Sequence, residues 1–335
     1  MEAEGAPPRK RSDDEGSALV GGNLLDRLSE DDRACLLAAG RERAVDAGEE
    51  VARQGSRGDC LFMIVEGELV VVRAMPGDSE RQLATAKPGM VLGEVAVLDR
   101  GARSASLRAT RRSVLREIDL GAFEALTLYG GDRGWRILRA VAASVHERLA
   151  ATRRIEGAVP RGAPPSPGAA LRWSAPPAPA LAVLESLAAF EGLDARDWEA
   201  MLPHAGIAQV ERGSDLVLPD ASGAGAVIVL RGAVSPWLED GSGPEVTMPT
   251  AGPGGFVEHA LALGLAPEHR RWRARSPARL LRLDAALFAQ GGAFAPRLLY
   301  ALSRSLAATL RRSTGLAMHF RMAWVRPGVV SAEAH

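Results

Sequence analysis

The feature that most constrains this chain is a repeat: its two halves match at a constant offset of 165 residues. Leu28 pairs with Leu193, Leu37 with Leu202, Val45 with Val210, Gly48 with Gly213 and Val51 with Leu216. The match continues through Gly58/Gly223, Ile64/Val229, Gly67/Gly232, Gly89/Gly254, Asp119/Asp284 and Phe123/Phe288. It then enters a helical tail, where Val141 meets Leu306 and Val145 meets Leu310. A fixed offset over about 120 residues, with glycines in register, marks an internal duplication, so a fold assigned to one half must serve both. The length of 335 residues is long for one compact core and suits two.

Each copy opens with an amphipathic helical pattern, 24–39 in the first and 184–204 in the second, entered through an acidic or Ser-rich turn. Short alternating strands come next in the first copy at 43–46, 50–53, 60–65, 67–74, 81–85, 104–109 and 113–118, with glycines at the turns. Helices with apolar residues three and four apart close the units: Ile137, Val141, Val145 and Leu149, then Leu298, Leu302, Leu306 and Leu310. The pattern predicts a mainly β fold with helical flanks, two tandem jelly-roll β-barrels. We divide the chain into a flexible tail at 1–22, a first unit at 23–152, a Pro/Ala-rich linker at 153–180, a second unit at 181–313 and a tail at 314–335.

Composition excludes several function classes. The 41 basic residues cancel the 41 acidic ones, so no global field draws the protein to nucleic acid or an acidic membrane surface. No run approaches the roughly 18 apolar residues of a membrane span, and Met1 to Lys10 is polar, so a soluble cytoplasmic protein is expected. Cys35 and Cys60 read as two reduced, packed thiols. His146, His204, His259, His269, His319 and His335 show no HxH or HExxH spacing, so no metal is expected, although His259 and His269 could face one pocket. GxSxG, CxxC and the Rossmann glycine pattern are also missing, which leaves no catalytic residues to assign and argues against an enzyme. The stretch at 314–335, after the second unit, is too short for a three-helix DNA reader, so no DNA binding is expected.

The segment Leu92 to Ser106 is the most informative. Gly93-Glu94 opens a short apolar helical turn through Val95 and Ala96, and a loop then delivers Arg103-Ser104-Ala105 at the start of a strand. Glycine allows close backbone approach to a ligand, and the turn aims free N–H groups at an anion. Arg103, nine residues after Glu94, can return across the same pocket as a fork of donors for phosphate oxygens. Glu94 is then free to accept from a sugar hydroxyl.

The order Gly48, Gly55, Gly58-Asp59, Ile64, Gly67, Gly89, Gly93-Glu94 and Arg103-Ser104-Ala105 resembles the cyclic nucleotide-binding domain. That family includes the catabolite activator protein and the regulatory subunits of cyclic-nucleotide-dependent kinases. The resemblance spans about 24–150 strongly and 184–313 more weakly, through the repeat. It implies that Glu94 binds the ribose 2′-hydroxyl and Arg103 the cyclic phosphate of cAMP or cGMP, with Gly93, Val95, Ala96, Ser104 and Ala105 lining the site and no further cofactor. In the second copy Gly93 becomes Glu258, Glu94 becomes His259, Arg103 becomes Glu268 and Ser104 becomes His269. A carboxylate where the phosphate belongs argues for a degenerate copy. A one-residue slip would restore Glu258 to the sugar position with Arg270 nearby, but Val257 would still replace the glycine.

Three further features bear on partners. Arg9-Lys10-Arg11-Ser12 resembles a basophilic kinase substrate site, against the simpler reading of a solvated charge run. Trp135, Trp173 and Trp198 could each cap a purine base, although core packing is the first expectation for Trp198. The apolar helix stripes could pack on their own rolls, couple the units, or form a homodimer through the C-terminal helices. The sequence therefore predicts a cyclic nucleotide sensor that signals to its second unit or to a protein partner. The alternative is a structural interaction module built from two rolls that bind no nucleotide.

Overall fold

A computed structural model describes residues 23–75, 77, 79–155, 169–177, 180–187, 190–217, 224–238, 246–247, 250–265 and 271–324. The first unit runs β1 (Arg41–Val45), β2 (Glu50–Ala52), β3 (Cys60–Glu66), β4 (Leu69–Met75), β5 (Ser79–Ala86), β6 (Val91–Leu92), β7 (Ser106–Ala109) and β8 (Ser113–Asp119). Helix α1 (Glu30–Ala38) precedes the strands, α2 (Glu94–Leu98) interrupts them, and α3 (Leu120–Tyr129) and α4 (Gly131–Ile155) close the unit. Two four-stranded antiparallel sheets, β1-β8-β3-β6 and β2-β7-β4-β5, face each other as a jelly roll.

The second unit repeats this order. After β9 (Ala169–Ala170), α5 (Ala180–Glu185) and α6 (Ala195–Met201) come β10 (Ala205–Val210), β11 (Asp215–Val217), β12 (Ala224–Arg231), β13 (Val234–Leu238), β14 (Val246–Thr247), β15 (Phe256–Glu258), β16 (Arg271–Ala274) and β17 (Ala278–Asp284). Helix α7 (Ala295–Trp324) closes it. Its sheets are β10-β17-β12-β15 and β14-β13-β16-β11-β9, the same jelly roll with one extra edge strand. Even the register is duplicated. Val45 faces Ser113 as Val210 faces Ala278, and Ile64 faces Leu115 as Val229 faces Leu280. Gly67 and Gly232 show why glycines keep their places: both have φ above 80°, and a Cβ there would collide with Ser113 or with Pro277 and Ala278.

Strands β3 and β12 are unbroken apolar runs because both of their faces are covered. Cys60, Phe62 and Ile64 point into the roll, while Leu61 and Met63 point at the helices. Val227 and Val229 likewise face inward, while Ala226, Ile228 and Leu230 join the helical core. That core is shared by both units. Ile137, Val141, Val145 and Leu149 on α4 and Leu298, Leu302, Leu306 and Leu310 on α7 lie in one buried cluster. Both stripes thus face the inside of the chain.

Polar contacts cross the same seam in both directions. Trp135 Nε1 donates to Phe288 O at 3.2 Å, and Tyr300, its counterpart one repeat later, donates to Glu124 at 2.8 Å. Arg139 Nε donates to Leu263 O at 2.9 Å.

The boundaries differ from the sequence expectation in several places. The opening helix at 24–39 breaks into a 3-10 turn at Leu24–Arg27 and α1, because Ser29 caps the new helix by accepting from Asp32 N. The segment 184–204 divides in the same way: Asp194 and Asp197 form a capping box that starts α6 afresh. Strand β6 is too short to leave a periodic signal, and β7 begins at Ser106, two residues after the expected 104. The end of the linker is not free, since Ala169–Ala170 pairs in parallel with β11 and Ser174 bridges to Ile207. Helix α7 runs past 313 to Trp324, into the stretch assigned to a tail. The tail at 1–22 and its Arg9–Ser12 motif lie outside the described residues. Among those described, no helix is long and apolar enough to cross a membrane.

Candidate functional site

The residues singled out in the first copy converge on one pocket, lined by Gly93, Glu94, Val95, Ala96, Arg103, Ser104 and Ala105. Strand β6 brings the chain to Gly93, whose φ of 86° starts α2. Any side chain there would strike Arg103, because a Cβ would lie 2.3 Å from Nη1. The positive φ and this close approach both favour glycine at 93. The Arg103 backbone is pinned by its own N–H to Ser56 O at 2.8 Å and by Gly55 N–H to its carbonyl at 2.9 Å.

Arg103 is 5% exposed. Its Nη2 donates to Cys60 O at 2.6 Å, its Nη1 to Gly93 O at 3.3 Å, and its charge lies 5.3 Å from the centre of the Phe62 ring. It makes no ion pair with a carboxylate among the described residues. Its Nη2 also lies 3.2 Å from Cys60 Sγ, and a buried guanidinium satisfied only by carbonyls and a thiol keeps a net charge for an anion. The neighbouring Cys60 thiol is pushed up to about 11 by burial, so it stays neutral beside the cation.

Glu94 is not the free acceptor the sequence suggested. Its Oε1 accepts from Arg148 of α4, in an ion pair whose two side chains are nearly buried. Burial lowers the Arg148 guanidinium to about 10, so it is charged at neutral pH. Glu94 Oε2 is buried with no hydrogen-bond partner. Half of this carboxylate is thus committed to orientation and half remains to accept.

Sequence reasoning missed Arg148, although it sits beside Val145 and Leu149 at the edge of an apolar stripe. It also missed Leu310 and Arg311, which reach the pocket from α7 of the second unit. The pocket holds about 850 Å³ of non-atom space, its open mouth included. None of the three candidate tryptophans lines it. Trp135 lies in the seam, Trp173 packs beside Gly206, and Trp198 is fully buried edge-to-face with Phe190, their ring centroids 5.0 Å apart.

The corresponding space in the second unit is a different object. It holds about 370 Å³, open solvent included, and is lined by Leu149, Phe256, Trp272 and Leu306 together with His259 and the hydroxyl-bearing Thr250, Ser305 and Thr309. His259 is buried and meets His146 of α4 at 2.9 Å, so a neighbouring helix already engages the side chain standing in for Glu94. Glu268, His269 and Arg270, on which the expectation of a degenerate site turned, lie outside the described residues.

Residues 42–128 match the family model for the cyclic nucleotide-binding domain. The first unit belongs to that family. It is 32% identical over 124 residues to a cAMP-dependent protein kinase regulatory subunit of Blastocladiella emersonii, a match covering 37% of this chain and 31% of that one. A match to the cyclic AMP receptor protein of Thermus thermophilus is 32% identical over 97 residues, covering 29% of this chain and 45% of the other. The chain thus spans less than half the length of these curated relatives. Among solved structures, the Thermus thermophilus catabolite activator protein is similar at 26% identity and a TM-score of 0.38, over 41% of this chain and 62% of that one.

Proposed function

We propose that the chain is a regulatory sensor that binds one cyclic mononucleotide, cAMP or cGMP, in its first unit and has no catalytic step of its own. One observation carries this reading. A buried cation without a carboxylate partner and a buried carboxylate oxygen without a donor line the same pocket, behind a glycine that admits the cation. A buried charge without a counterion and a buried acceptor without a donor are costly to keep in a fold unless a ligand meets both. A cyclic phosphodiester beside a ribose hydroxyl supplies one anion and one donor. Arg103 turns its terminal N–H groups from Cys60 O and Gly93 O toward the phosphate, and Glu94 Oε2 accepts from the 2′-hydroxyl. The signal is a population shift: a ligand on α2 and the loop after it biases the helices at 123–150, and through them the second unit or a protein partner.

Calorimetry of the full chain against cAMP, cGMP and a cyclic dinucleotide tests the reading. Saturation by one mononucleotide per chain is expected. Heat from none of the three would favour the rival, a two-roll interaction module, which draws its support from the carbonyl contacts that already occupy Arg103.

A further inference from the structure

The loop between α2 and β7 carries Arg103, yet much of what holds it belongs to the other unit. Arg311 of α7 donates from Nη2 to Asp99 Oδ1 at 2.7 Å, from Nε to the second carboxylate oxygen, and from Nη1 to the carbonyl of Ala102. These three bonds reach back over more than 200 residues of sequence. Asp99, its side chain 9% exposed, receives the guanidinium as a two-pronged fork. Gly101 leaves room for it, since a Cβ there would lie 2.7 Å from Arg311 Nη2. Between them sits Arg100, whose φ of 51° makes it the one non-glycine residue at positive φ among those described. Such a conformation persists where surrounding contacts impose it. Arg100 is held by Glu124 at 3.0 Å, the same carboxylate that accepts from Tyr300 of α7, and lies 3.8 Å from Glu191 of the second unit.

We infer that Arg311 is a positioning residue for the first unit's ligand site, clamping loop 99–102 so that Arg103 is presented to the pocket. The inference rests on the cyclic-nucleotide reading above and deepens it. The second unit, whatever its own pocket holds, is a structural component of the first. Leu310, one residue before Arg311, adds an apolar wall to the same pocket, so the helix both anchors the loop and borders the ligand. Linkage makes the relation reciprocal: if seated α7 favours the binding-competent loop, bound nucleotide must favour seated α7 by the same factor.

The test compares the full-length wild type with Arg311→Ala and Arg311→Lys, titrated with cAMP and cGMP and monitored by hydrogen exchange with and without nucleotide. Arg311→Ala is expected to weaken binding by about tenfold or more, as for a lost bidentate charged contact. It should also speed exchange across 99–105 before any ligand is added. Arg311→Lys keeps the charge without the fork and should recover only part of the affinity. In the wild type, nucleotide should slow exchange in 295–313, and in Arg311→Ala it should not. Wild-type affinity in Arg311→Ala overturns the inference, as does lost affinity with unchanged exchange at 99–105. If the wild type binds neither nucleotide, the sensor reading falls. The ligand-free exchange at 99–105 then still decides whether Arg311 holds the loop.

Discussion

The two pockets share one backbone plan and differ in what fills it. In the first unit a glycine at 93 opens a path for a buried arginine, and a glutamate keeps one oxygen unpaired. In the second, the strand order recurs with β9 added and most of the register is kept, but β15 pairs with β12 one residue out of step beside the pocket, an imidazole replaces the glutamate, and Leu149, Phe256, Trp272 and Leu306 line the space. Duplication therefore kept the roll and changed the described lining of the pocket. The roll is fixed by positions such as Gly67/Gly232 and the twin registers, where a change would cost folding. The pocket's lining is under no such folding constraint, so it can differ between copies of one roll.

The largest test of that contrast is the Glu94–Arg148 pair, which the second unit lacks because its equivalents are His259 and Ser313. Arg148→Ala leaves a buried carboxylate uncompensated and should lower stability by about 3–5 kcal/mol in urea unfolding. Glu94→Gln combined with Arg148→Met should recover much of the loss, because neither charge then remains. Equal stability of Arg148→Ala and wild type would mean that the pair does not organise the first pocket.

Leu149→Ala probes the other side of the contrast. This side chain is 1% exposed and stands in the second cavity. Its truncation should cost about 2–5 kcal/mol and leave nucleotide stoichiometry at one. A second binding event in calorimetry would show that only bulk keeps the second site silent. Arg103→Ala should then reduce cyclic nucleotide affinity by about 2–4 kcal/mol with little change in melting temperature, the range for truncating a charged hydrogen-bonded partner. Near-wild-type binding would dissolve the difference between the pockets.

The sequence displayed the duplication, the jelly-roll class and the meeting of Gly93-Glu94 with Arg103, because each leaves a local or periodic trace. Glycines at required turns recur at a fixed offset, and a roll's strands alternate. Arg148 and Arg311 leave none. They lie 54 and 212 residues from their carboxylates, on helices whose apolar stripes announce burial without saying against what. The division of each opening helix was visible in principle, in Ser29 and in the Asp194/Asp197 box, but three-residue capping signals are easily absorbed into a longer amphipathic pattern.

The smallest effect concerns a feature the units share, and so marks where their difference should vanish. Asp32 in the first turn of α1 accepts from Arg136 of α4 at 2.7 and 2.8 Å, and its repeat counterpart Asp197 accepts from Arg297 of α7. Each carboxylate ties its unit's opening helix to its closing one. The Arg136 bonds hold the Asp32 carboxyl below its usual value against the opposing pull of burial. A depressed carboxyl favours the fold above its unfolded value of about 3.9, and that contribution is lost as pH falls through the lower folded value. Asp32→Asn should therefore cost about 1–2 kcal/mol, constant between pH 7 and 5, with the gap to wild type narrowing below about pH 4. Asp197→Asn should lower stability at neutral pH in the same direction, since the same kind of anchor is cut. Thermal melts across that range read both. A gap that persists unchanged into acid would mean that Asp32 does not act through its charge, and the proposed common anchor of the two units would fail.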